Sequence, residues 1–292
     1  MIEASEHRGP DERCGSYERR APLGRNGCDS FIFYGVLWMR SIKWVLAACL
    51  AAGLCSFSYA EGKGKAAHWS YEGVHGPEKW AALAPENAKC SQGKVQSPVN
   101  IMDREVIVSD LESIQFHYQP SAYRFEHNGH TLQVTPAGEN YVVIRGTRYD
   151  LLQFHFHAPS EEKINFRNFS MVAHFVHKSA KGALAVVGVL LDAGGSNPAM
   201  DHLWAHLPLS KGDTVEPKGA TLDMTQMLPT ERAYFQFMGS LTTPPCSEGV
   251  LWTLFQEPVK IRPEQASIFL KVVGMNARPV QALNQRTVRY SR

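Results

Sequence analysis

The chain has 292 residues, 44% of them hydrophobic, and a formal net charge of +2, enough apolar material for one large domain or two small ones. It has no Lys/Arg run long enough for a nucleic-acid arm, and nothing recurs at a solenoid or propeller period. Nucleic-acid binding and repeat architectures are therefore set aside.

The first sixty residues read as processing signals. Residues 1–38 precede a good start methionine, Met39, and read as an untranslated or disordered upstream extension. From Met39 the chain runs MRSIKWVLAACLAAGLCSFSYA. Basic Arg40 and Lys43, an apolar run from Trp44 to Leu54, and small residues at Ser58 and Ala60 make 39–60 a signal peptide cut after Ala60. The run is shorter than the roughly 20 residues of a membrane span, so no stable span is expected after cleavage. Leu46-Ala47-Ala48-Cys49 also resembles a lipoprotein box, with Cys49 as the attachment site. Of six cysteines only Cys90 and Cys246 lie beyond the leader. An even pair in an exported chain reads as one disulfide, against two unrelated buried thiols, and the location as periplasmic or secreted.

Residues 61–292 read as one β-rich domain. AYRFEH and TLQVT flank His127-Asn128-Gly129-His130, and Asn-Gly between alternating segments is a hairpin signal. NYVVIRG, YDLLQFHFH, SMVAHFVHK and ALAVVGVLLDA follow as strands, then NPAMDHLWAHL as a helix. AYFQFMGSL and VLWTLFQEPVKI return to strand. PEQASIFLKVV ends the series as a helix, with Pro263 early and Gly274 as its stop.

The stretch QFHFHAPSEEKINFRNFSMVAHFVH, residues 153–177, holds four histidines. On a strand, His155 and His157 share one face while Phe154 and Phe156 point into a core. Antiparallel pairing would bring His174 beside them. Three neutral imidazoles on rigid strands leave a fourth tetrahedral position open, the plan of a catalytic zinc site. His177 has the opposite parity to His174 and reads as structural. A cupin competes, because His155, His157 and Glu161 satisfy part of its motif. The glycines a cupin wants are replaced by Tyr149 and Asn168.

Five blocks settle the choice: HWSY from His68, GPEKW from Gly76, QSPVNI from Gln96, the histidine stretch, and GSLTTPPC from Gly239 to Cys246. In this order they resemble the alpha-class carbonic anhydrases, of the bacterial secreted or periplasmic type, from about residue 66 to the C-terminus. The resemblance implies a mainly β (β-rich α+β) fold: a large twisted, mostly antiparallel sheet of about ten strands with short peripheral helices. It implies reversible hydration of carbon dioxide to bicarbonate and a proton by zinc-activated hydroxide, with Zn2+ on His155, His157 and His174. Carbonic anhydrase is itself the best-known case of a three-histidine zinc site and of water whose pKa zinc lowers.

By the same resemblance, Thr242 accepts the hydroxide proton and donates its own to Glu161, which when ionised can only accept. Thr243 contacts substrate or bicarbonate, and Val176, Val186, Leu241, Val250 and Trp252 wall an apolar carbon dioxide pocket. His130 shuttles protons, with Tyr71, Asn128 and Gln133 ordering water and His127 as understudy. Cys90–Cys246 matches the bridge of secreted members, and the Pro244-Pro245 region a cis peptide bond. Sulfonamide or anion inhibitors and a homodimer belong to the same set of expectations.

Gln153 and the backbone carbonyl of Asn276 match the partners that orient His155 and His157. For His174 the family uses a glutamate two positions earlier, and here that position is Val172. Loss of such a partner typically costs about 10–100-fold in metal affinity or activity, so weaker zinc, slower turnover or a replacement acceptor such as water is expected. Phe166 and Glu162, in the same stretch, also depart from the pattern. The alternatives are a catalytically silent carbonic-anhydrase-like binding protein and, behind it, a cupin-like metal protein.

Overall fold

The structure, a computed structural model, describes residues 68–291; the readings of residues 1–38, of 39–60 and of Cys49 lie outside the described residues. Eight strands have four or more residues. They are β1 (Tyr123–His127), β2 (Leu132–Pro136), β3 (Tyr141–Ile144), β4 (Thr147–His157), β5 (Met171–Ser179), β6 (Leu184–Ala193), β7 (Tyr234–Ser240) and β8 (Glu248–Phe255). They run β1-β2-β4-β5-β6-β8-β7 in one sheet, with β3 paired to β4. Shorter edge pieces bring the sheet to thirteen strands. Among the eight, only β6 and β8 pair in parallel.

The expected sheet and peripheral helices are therefore present, with two boundary corrections. VLWTLFQEPVKI divides into β8 and a separate strand, Val259–Ile261, each parallel to β6. Pro258 stands at the break and has no N–H for a ladder bond. Helix α1 (Pro198–Trp204) is capped by the Asn197 side chain, which accepts from the Met200 N–H. It stops short of Leu207, as residues ahead of Pro208 disfavour helical backbone. Helix α2 (Pro263–Val272) starts on Pro263 and is followed by Gly274 at φ +89°, the left-handed conformation that favours glycine beyond a helix end.

The β4–β5 ladder positions the site. His155 pairs with His174 and His157 with Val172. A bulge at Leu152 separates the pairs Leu151–His177 and Gln153–Val176. The extra residue reverses parity: before the bulge Leu151 faces the main core, after it Phe154 and Phe156 do, while Gln153, His155 and His157 face the other way. Phe154, Phe156, Ala173 and Phe175 belong to the larger apolar cluster. Val172, Val176, Val186, Leu190, Val250 and Trp252 belong to a second. Each fully buried aromatic stabilises the fold by roughly 1.5–3 kcal/mol through area removed from water.

Candidate metal centre

His155, His157 and His174 each offer one ring nitrogen, and the three atoms lie within 4.8 Å of one another. The opposite nitrogens are occupied. His155 Nδ1 bonds Gln153 Oε1 at 2.8 Å, and His157 Nδ1 bonds the Asn276 carbonyl at 2.7 Å. A neutral imidazole has one N–H, so donating it to these oxygens leaves the Nε2 lone pairs pointing at the common centre. Burial holds His155 neutral, with a pKa pulled down to about 3, helped by His174; His157 is lowered by the same causes. Metal ligation needs these neutral forms. His157 Nε2 is buried and has no hydrogen-bond partner. An orphaned lone pair at the focus of three imidazoles fits a metal with nitrogen preference, zinc above all.

The acceptor missing at Val172 comes from elsewhere. Glu162 Oε2 lies 3.0 Å from His174 Nε2, both side chains buried, which leaves Nδ1 for the centre. Burial alone would lower the pKa of His174, but the Glu162 carboxylate raises it. Val172 itself is fully buried in the second apolar cluster.

Glu161 stands on the inner side. Its Oε1 accepts the Arg278 backbone N–H at 2.7 Å, and nearby Thr242 acts to lower the carboxyl pKa. Oε2 has no donor of its own and lies 3.5 Å from His157 Nε2 and 3.8 Å from His174 Nδ1. Burial pushes the Glu161 pKa up to about 8, against the pull of His174; a cation among the histidines acts in the ionising direction.

All five residues expected to wall the substrate pocket fall in the second cluster, with Leu241 partly buried at its edge. The Trp252 ring meets His174 edge-on, with centroids 4.9 Å apart. Its Nε1 donates to the Ser240 carbonyl at 2.9 Å, and Ser240 Oγ accepts the Ser97 N–H at 2.9 Å. These bonds hold the start of the Leu241–Thr242–Thr243 loop. The far end is held by the Thr243 carbonyl, which accepts from the Cys246 N–H at 2.8 Å, by a cis Pro244–Pro245 bond and by the Cys90–Cys246 disulfide.

At the rim, His130 stacks on Trp69 with centroids 3.7 Å apart and on His68 at 4.7 Å. Burial, then His68 and Lys211, pull its pKa down to about 4. Tyr71 meets Trp69 edge-on, and Asn128 Nδ2 bonds Gln133 Oε1 at 3.5 Å. A cavity of about 340 Å³ is lined by His68, Trp69, Tyr71, His130, Lys211 and Asn276 among others. His127 is no understudy. It is buried, its Nε2 3.2 Å from the Val272 carbonyl and its Nδ1 accepting from the Gly129 N–H.

Three residues were missed as partners in the sequence. Glu162 stood out only as a departure from a pattern. Arg278 carried no signal at all, yet its buried guanidinium bonds Gln96, the Ser97 carbonyl and the Cys90 carbonyl while its N–H reaches Glu161. His68 lay within a quoted block, but nothing there pointed to His130.

Fold and site together define a cluster of three imidazoles, able to hold one metal ion, on one face of a large sheet. The profile of the family described as eukaryotic-type carbonic anhydrase matches residues 75–292. A carbonic anhydrase of Neisseria gonorrhoeae is 42% identical over 245 residues, covering 83% of this chain and 95% of that protein. One of Nostoc is 36% identical over 250 residues, 85% of this chain and 95% of the relative. The solved alpha-carbonic anhydrase of Thermovibrio ammonificans, in complex with the inhibitor sulfanilamide, is 43% identical with a TM-score of 0.75, covering 77% of this chain and all of that one. The chain belongs to the alpha carbonic anhydrase family and is a carbonic anhydrase enzyme. Its disulfide fits an oxidising compartment, and among the described residues no helix is long and apolar enough to cross a membrane.

Proposed function

We propose that the protein catalyses reversible hydration of carbon dioxide to bicarbonate and a proton in the periplasm or outside the cell, with zinc held by His155 Nε2, His157 Nε2 and His174 Nδ1. The carrying observation is that each histidine has its opposite nitrogen on an acceptor, so all three lone pairs face one point. Zinc, when bound, supplies a Lewis acid that makes a nucleophile of water near neutral pH.

The chain's own residues do the rest. Glu161, ionised and able only to accept, takes the Thr242 hydrogen and leaves the Thr242 oxygen lone pairs to accept from the attacking oxygen's proton. Thr243 contacts substrate or product. Val176, Val186, Leu241, Val250 and Trp252 form a dry wall suited to a small apolar substrate. His130 carries the released proton outward, with Tyr71, Asn128 and Gln133 ordering the water between. Stacked on Trp69 with a pKa near 4, His130 would take a proton from a donor near 7 uphill by roughly three powers of ten. Sulfonamides, as in the solved relative, and small anions compete at the open metal position.

Stopped-flow carbon dioxide hydration, with zinc per chain measured on the same sample, tests this reading. Turnover that scales with zinc is expected. Full zinc without turnover would favour the silent binding reading, and a chain that takes up no stoichiometric zinc would sink the zinc-hydratase reading.

A further inference from the structure

We infer that Glu162 is the positioning residue of His174, so that the carboxylate orienting the third ligand has moved from strand position 172 to the β4–β5 connection. The inference rests on the zinc reading above.

The ordinary solution is visible one strand away. In β4, Gln153 orients His155 from two residues earlier, at 2.8 Å. Val172 occupies the same relation to His174 in β5, and its side chain has no acceptor. It belongs instead to the apolar cluster that includes Ile101, Ile164, Phe169 and Leu190, and pairs with Leu190 across the ladder. Glu162 approaches the His174 ring from a different segment, and its carboxylate meets Nε2 at 3.0 Å.

The backbone around Glu162 is held on both sides. Ser160 Oγ donates to the Glu162 carbonyl at 2.8 Å and accepts the Phe169 N–H at 2.9 Å. The next residue, Lys163, gives its N–H to the Val99 carbonyl at 3.2 Å and pairs with Asn100 in a short parallel ladder. Glu162 and His174 are both buried, and a low local dielectric strengthens the bond between them. Consecutive residues thus serve opposite sides of one imidazole: Glu161 faces the Nδ1 side at 3.8 Å, and Glu162 holds the Nε2 side. Pinning the hydrogen on Nε2 fixes the tautomer and ring plane that present Nδ1 to a metal.

Restoring a glutamate at 172 alone should not tighten the site, because a third buried carboxylate would stand beside Glu161 and Glu162 without a cation of its own. Relocation should work where addition does not.

The test is chelator competition for zinc on the full chain, with apo-protein melting temperatures, for wild type, Glu162→Gln, Glu162→Ala, Val172→Glu and the double variant Val172→Glu/Glu162→Ala. Glu162→Ala should weaken zinc by about 10–100-fold, and Glu162→Gln, which keeps a neutral acceptor of the same shape, by less. The double variant should regain most of that loss, and Val172→Glu alone should give no tightening. A merely structural Glu162 would not be rescued from position 172. The inference is overturned if both Glu162 variants hold zinc as tightly as wild type, or if relocation restores melting temperature without restoring affinity. Should Glu162→Ala fail to fold, Glu162→Gln decides alone. Zinc-loaded, active wild type alongside unaffected Glu162 variants would sink this inference and leave the proposed function standing. Wild type without zinc would remove both.

Discussion

Strand β5 carries two fully buried histidines three residues apart, and the two faces of the sheet treat them in opposite ways. His174 faces the second cluster, with a carboxylate on Nε2 that raises its pKa. His177 faces the main core, where Tyr118 Oη lies 2.7 Å from its Nε2 and burial pulls its pKa down to about 4. Residue type, strand and burial are the same. What differs is the partner behind the ring: the Glu162 carboxylate stands behind His174, the Tyr118 hydroxyl behind His177.

The largest expected effect exchanges the two. His174→Ala should abolish stoichiometric zinc and reduce hydration to background while the apo protein still melts cooperatively. His177→Ala should keep zinc per chain near one but lose stability by roughly 1–3 kcal/mol, because the Tyr118 hydroxyl is left buried without a partner. Metal analysis and denaturant melts on both variants check this, and zinc lost from His177→Ala instead would break the comparison.

Acid sharpens the same contrast. His177 has a depressed folded pKa, so the unfolded chain takes up its proton first as pH falls. Its contribution to stability is complete above pH 6.5 and declines between 6.5 and about 4. The full decline is roughly 3 kcal/mol at 1.36 kcal/mol per pKa unit. Unfolding free energies of the metal-free protein across this window should fall for wild type and fall less for His177→Gln.

Next comes the site face without a ligand change. Thr242→Ala should lower turnover by roughly 100-fold, the scale of losing one preorganised hydrogen bond at a reacting oxygen, with zinc affinity unchanged. Equal losses of zinc and turnover would place Thr242 in the metal's support instead. The smallest effect lies at the rim. His130→Ala should slow turnover several-fold in dilute buffer and recover with added imidazole, which can carry the proton itself. No buffer dependence would move proton export to another group, with neighbouring His68 the first to examine.

Much of this was legible because it is local. The parity of His155, His157, Phe154 and Phe156 follows from the two-residue period of a strand, and so does the opposition of His174 to His177. The cysteine count anticipated the Cys90–Cys246 bridge. Ordered motifs carried the family, and through it the bonds of Gln153 to His155 and of the Asn276 carbonyl to His157.

What the sequence left open is who stands behind each polar atom. Val172 read as a missing partner, yet the partner is present in Glu162, ten positions earlier in the chain and brought to His174 by a locked turn and a two-residue parallel ladder. His127 read as a rim histidine, but β1 pairing and the Val272 carbonyl bury it. Arg278 reaches Glu161 across 117 positions. Strand period is set by covalent geometry and survives in any fold, so residues two apart reveal a shared face. A hydrogen bond between distant segments exists only once packing has fixed both backbones to within a few tenths of an ångström, and that only the tertiary structure decided.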